Sequence, residues 1–198
     1  PPSAKAADAP AVHGSPLTLL KAPGLPRLLF INWLLAVCWD VHSFAVPVLG
    51  HGLGFSASTI GLILGTFTLS VSLIRLAIPW LAHRLQERRV VAACMLGTML
   101  IYALYPLAQT PALMAALAAL LGITLGAAQP MIMSTLHRVT PDGRHGESLA
   151  FRSMAINASS ALMPLAFGAL GVVMGAGSLF WIVGAAVGSG AWVTRRLP

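Results

Sequence analysis

Acidic residues are almost missing from this sequence, which has five Asp and Glu against twelve Lys and Arg in 198 residues. Charged side chains make up only 9% of the chain, where a soluble domain carries about a quarter. Too few ionic groups are present to cover a water-facing surface, and 57% of the residues are hydrophobic. The class expected is integral membrane. Cysteine is scarce too: Cys38 and Cys94 both fall in apolar runs and give neither a disulfide framework nor a CxxC metal pair. No HExxH and no paired carboxylates occur within any apolar segment, which removes metal-dependent hydrolysis. No basic-then-apolar leader opens the chain. It begins PPSAKAADAPAVHGSP, a Pro- and Ala-rich stretch that reads as a flexible linker. Residues 1–26 are expected to be the remnant of a cytoplasmic central loop in a longer protein, and residues 27–198 a membrane domain.

Long apolar sequence is abundant. A span needs about 20 mostly apolar residues, and six stretches qualify, over 27–50, 58–81, 90–109, 112–137, 149–174 and 176–194. Lys5, Lys21 and Arg27 precede the first span, and Arg84, Arg88 and Arg89 lie between the second and third. Arg138, Arg144 and Arg152 sit between or beside the fourth and fifth, and Arg195 and Arg196 follow the sixth. Eleven of the twelve basic residues therefore share one side of a six-span topology, and the opposite loops have none. The positive-inside rule assigns that side, with both ends of the chain, to the cytoplasm. The basic excess is thus a topology signal, and no nucleic-acid partner is expected.

Polarity within the spans is patterned. At helical spacing, span two aligns Gly61, Gly65, Thr68, Ser72, Arg75 and Pro79, and span five aligns Ser153, Asn157, Ser160, Pro164, Gly168, Gly171 and Gly175. Such small residues let helices approach closely, and their hydroxyls can bond across the contact. Span four presents Gly122, Gly126, Gln129, Met133 and His137 on one face, with Pro130 as an expected kink. Spans three and six are nearly free of polar side chains and are expected to face lipid. Polarity in the first two members of each triplet and not in the third is a weak repeat of three helices plus three, a feature of secondary transporters. The fold expected is all-α, with six transmembrane helices in two triplets.

Span one contains INWLLAVCWDVHSFAVPVLG, with Asp40 and His42 near its centre. Two residues apart on a helix point about 200° away from each other, so the two side chains cannot face one cavity together. Counting rise from the flanking arginines puts Asp40 about 20 Å from Arg27 and Arg75 about 14 Å from Arg84, within reach of an ion pair across spans one and two. Such a pair is either a structural bridge or a site where Asp40 gains and loses a proton. His42 has either a hydrogen-bonded packing role or a relay role that its ordinary pKa suits.

With these features the sequence resembles the C-terminal six-helix half of a bacterial major facilitator superfamily transporter, of the efflux or sugar-permease type. The loop PWLAHRLQERR is similar to that superfamily's GxLxDRxGRR loop, matching at Leu81, Arg84 and Arg88. Pro79, His83, Gln86 and Glu87 depart from it. TPDGRHGESLAFR is similar to the turn that opens the fifth helix of a half. The resemblance implies a rocker-switch transporter of the bacterial inner membrane, with a central cavity between two six-helix halves. The first and fourth helices of each half line that cavity, which falls on Asn32, Trp33, Asp40 and His42, and on Gln129 and Met133. It also implies a second six-helix half as partner, a small-molecule substrate, the bilayer around both, and no cofactor or metal.

Other classes fit less well. A rhomboid-type intramembrane protease needs a histidine after its serine, and none follows Ser189. No charged ring or carbonyl-rich filter marks a channel. A uniporter, or a receptor or scaffold with the same fold, shares every feature above. The function expected is proton-coupled transport of a small solute, with no enzymatic activity.

Overall fold

The computed structural model describes residues 16–81 and 86–194. Lys5, Arg84, Arg195, Arg196 and the side chain of Leu81 lie outside what it describes. Six long helices follow one another: α1 Leu25–Gly52, α2 Ala57–Leu81, α3 Glu87–Leu104, α4 Pro111–Val139, α5 His145–Met174 and α6 Ala176–Val193. A helical turn at Pro16–Leu19 precedes α1, and a 3-10 turn at Tyr105–Leu107 extends α3. All six are long and apolar enough to cross a membrane. Helix is the natural form here, because hydrocarbon offers no partner for an unpaired backbone group.

The turns follow the local chemistry. Thr110 caps α4, its hydroxyl accepting the Leu113 N–H at 3.3 Å, with Pro111 opening the helix. A single residue, Gly175, joins α5 to α6 at φ 82°, a left-handed conformation that suits glycine. α5 begins four residues before the apolar run does. Arg144 donates to Glu147 at 3.1 Å across its first turn, and to the Thr18 hydroxyl at 3.0 Å, tying the segment before α1 to the start of α5.

The most extensive helix contacts are α2–α4, α3–α6, α3–α4, α1–α5 and α1–α6, with α1–α4 also in contact. Advancing every helix by three exchanges α2–α4 with α1–α5 and α3–α4 with α1–α6, and maps α3–α6 and α1–α4 onto themselves. The weak three-plus-three pattern of the sequence thus recurs in the main contacts of the bundle, whereas the α5–α6 contact has no counterpart of that extent between α2 and α3. α1 and α4 are its most buried members.

α3 and α6 keep large apolar side chains exposed, among them Leu96, Leu100, Leu104, Trp181 and Ile182, and they also pack within the bundle. About two-fifths of each apolar window, 39%, is buried, against 17% for α2 and 11% for α5. Freedom from polar side chains permits contact with lipid but does not prevent packing. Here α3 and α6 pack on each other: Tyr105 stacks on Phe180 at 4.7 Å, and Tyr102 meets the same ring edge-on at 5.2 Å. The Tyr102 hydroxyl, fully buried, donates to the Cys38 carbonyl and so binds α3 to α1.

The glycine-rich faces divide in the same way. A Cβ at Gly122 would lie 2.5 Å from the Phe67 carbonyl oxygen, and one at Gly126 would lie 3.1 Å from the Val71 Cα. α2 and α4 touch backbone to backbone only because these positions lack a side chain. Gly61, Gly65, Gly168 and Gly171 meet nothing within 4 Å, so their faces on α2 and α5 are open. On α2 the hydroxyls beside them bond within their own helix, Thr68 to the Leu64 carbonyl at 3.1 Å and Ser72 to the Thr68 carbonyl at 3.0 Å, rather than across a contact.

Gly122→Ala is accordingly expected to destabilise the full-length protein by about 1–3 kcal/mol through overpacking. Gly61→Ala should leave the stability of these six helices unchanged or slightly raised. Unfolding of the purified protein in a denaturing-detergent titration measures both.

Candidate functional site

Asp40 lies mid-way along α1, half-buried, and opens on a cavity of about 380 Å³ between α1, α2, α4 and α5. Arg75, Gln129, Arg152 and Ser160 supply the other polar groups of its wall. Ala36, Trp39 and Ile156 supply the apolar part. α1 and α5 contribute three of these residues each, and α2 and α4 one each.

The Asp40 carboxylate accepts the Ser160 hydroxyl at 3.1 Å and the Ser159 hydroxyl at 3.4 Å, both from α5. The expected ion pair with Arg75 is not formed. The Asp40 oxygens are taken by the two α5 hydroxyls. The Arg75 guanidinium instead lies over the Trp39 ring, 5.9 Å from its centroid. The two residues share a cavity without touching.

Arg152 is the group that reading the sequence for topology misplaces. It was counted among the charges beside the fourth and fifth spans, yet it sits eight residues into α5 and turns inward. Its Nε–H donates to Asn32 Oδ1 at 3.1 Å and its terminal N–H to Gln129 Oε1 at 2.6 Å. One guanidinium thus joins α5 to α1 and α4 through two neutral carbonyl groups. Among the described residues no carboxylate pairs with Arg75 or Arg152. The resemblance implied Asn32 and Gln129 as site residues, and only Arg152, the partner that joins them, was missing.

The remaining candidates separate. Asn32 and Gln129 belong to the site, Asn32 as a buried support behind Arg152. Trp33 stacks on Phe30 at 6.0 Å and Met133 packs partly buried against the core; neither lines the cavity. His42 is fully buried on the far side of α1, its ring 4.2 Å from that of Phe67 and 5.8 Å from that of Tyr105. Packing is what it does here, but without the expected hydrogen bond: neither ring nitrogen has a partner. Its direction, opposite to Asp40, follows from the two-residue offset.

A second polar cluster closes the end of the bundle where α3 begins and α4 ends. Glu87 accepts the Ser134 hydroxyl at 2.5 Å and the Thr135 hydroxyl at 2.7 Å, and pairs with Arg138. Glu87, one of the four residues that depart from the loop pattern, thus fastens α3 to α4. Arg88 of the same loop is exposed at the start of α3.

A sequence model described as Major Facilitator Superfamily matches residues 28–198, which is nearly all of the chain. The chain belongs to the Major Facilitator Superfamily. Its six helices form one six-helix, three-plus-three unit of that superfamily's fold, and it is a membrane-transport protein of several spans. No curated protein matches it significantly. In this major facilitator unit the first, second, fourth and fifth helices wall the cavity; of the residues the resemblance gave to it, Asp40 and Gln129 line it, and Trp33, His42 and Met133 do not.

If Arg152 is the clamp between α1 and α4, then Gln129→Leu and Arg152→Met should each destabilise the full-length protein. Hydrogen bonds to a charged group contribute about 1.5–3 kcal/mol when well shielded, and this site is partly open, so a coupling near the lower bound is expected. A double-mutant cycle in unfolding experiments reads it, and additive effects would contradict the clamp.

Proposed function

We propose that this major facilitator protein is a proton-coupled secondary transporter of a small solute, working by alternating access, with Asp40 as the titrating group and with no enzymatic role. The observation that carries the reading is the pair of serine hydroxyls on the Asp40 carboxylate. A hydroxyl can donate or accept, so Ser159 and Ser160 satisfy the carboxyl group whether it is ionised or protonated. A guanidinium in their place would hold it ionised. A half-buried carboxylate on a cavity wall, free of a fixed cation, has what a cycling proton site requires.

In the same reading, a second six-helix half covers the open faces of α2 and α5 and completes the cavity. Small residues along those faces, and the apolar side chains of Leu69, Leu73, Leu162 and Leu165 that stand exposed on them, support that cover. Residues 1–26 would link the halves. The end carrying Arg27, Arg88, Arg138 and Arg144 would face the cytoplasm of a bacterial cell, with the helices in its inner membrane.

The test uses the full-length protein in proteoliposomes under an imposed pH gradient, with lumenal pH followed by a trapped dye as candidate solutes are added. Solute-dependent proton movement is expected in the wild type and should be abolished in Asp40→Asn at unchanged expression. Coupling that survives the substitution would refute the role of Asp40. Solute flux without proton movement would refute coupling itself.

A further inference from the structure

The cavity holds more positive charge than negative. Arg75 and Arg152 both line it, Asp40 is the one carboxylate on its wall, and the two like charges repel across the space. Neither arginine has a carboxylate partner among the described residues. Holding charged side chains at membrane depth is costly, and proteins accept that cost where pairing or function answers it. Among the described residues, pairing does not answer it.

The two guanidiniums are also held ready. Asn32 and Gln129 take the Nε–H and one terminal N–H of Arg152, fixing its plane while leaving the other terminal nitrogen without a protein partner. A guanidinium has five N–H donors in a planar fork, and neutral acceptors orient it without cancelling its charge. Arg75 lies on the Trp39 face, which aims it into the cavity rather than out toward the membrane surface. Ala36, Ile156 and the Trp39 ring supply apolar wall beside these donors, and the volume of about 380 Å³ falls within the usual range for small-molecule sites.

We infer that the solute is a small organic anion, a carboxylate with a short apolar body, whose charged group is bound by Arg75 and Arg152. The inference rests on the reading of this cavity as the solute site, but not on proton coupling. It also assigns Asp40 a direction of effect. As the one negative charge of the wall, its ionised form opposes the anion and its protonated form does not, so proton and anion bind cooperatively.

Benzoate, benzamide and benzylamine present one ring with a negative, a neutral and a positive substituent. Added to the purified full-length protein, they are compared by the shift in thermal unfolding they cause. Benzoate is expected to stabilise the protein and the other two are not. Arg75→Gln and Arg152→Gln should each raise the half-saturating benzoate concentration about tenfold or more. Arg152→Lys should fall between, since it keeps the charge and loses the fork. Asp40→Asn should lower that concentration, a gain that misfolding does not imitate. Benzamide or benzylamine stabilising as well as benzoate would overturn the inference. So would benzoate stabilisation that survives both Arg→Gln changes, or none at about 30 mM, well above millimolar affinity. Proton-coupled flux of a neutral or cationic solute alongside any of these results would leave the transport reading standing and remove the anion alone. Benzoate stabilisation without flux would do the reverse.

Discussion

A guanidinium placed eight residues inside a membrane helix has to be answered by the helices around it, and much of this bundle is arranged as that answer. Arg152 on α5 is met by Asn32 on α1 and Gln129 on α4, both at hydrogen-bonding distance. Those two helices are the most buried of the six. Their amides satisfy the donors of the arginine but leave its charge in place. The cavity therefore exists between α1, α4 and α5 because a charge there needs room, polar partners and some water rather than lipid.

Close packing elsewhere makes that opening possible. α2 is pressed onto α4 at Gly122 and Gly126, where any side chain would strike its backbone. The same contact carries Arg75 to the cavity wall opposite Arg152. α3 and α6 fill the back of the bundle with stacked aromatic rings and the buried Tyr102 hydroxyl. The Glu87 cluster fastens α3 to α4 at the end where the arginines gather. Rigid packing behind and an open polar face in front are the two sides of one design.

Periodicity and charge placement made the helices, their order and the three-plus-three symmetry legible, because each depends on positions along one segment. That Asp40 and His42 point opposite ways follows from helical angle alone, but which of them faces the cavity does not, and the resemblance gave both to it. Contacts between segments were less legible. An ion pair between Asp40 and Arg75 fitted a depth count, but the two serines that bind Asp40 come from a helix the count did not include. Arg152 looked like a topology charge, since a sequence gives its distance from a loop and not the direction of its side chain. The packing of α3 and α6 was hidden for a related reason: an apolar surface accepts lipid and protein alike.

The claim on which the rest depends is that Ile156 faces a hydrated, positively charged cavity. Ile156→Cys in an otherwise cysteine-free full-length protein, reacted in native membranes with methanethiosulfonate reagents of opposite charge, tests it most directly. The sulfonate reagent should react faster than the trimethylammonium one, relative to their rates with a small free thiol, and the difference should shrink in Arg152→Gln. A cysteine that reacts with neither until the protein is denatured, or that prefers the cationic reagent, would contradict the account.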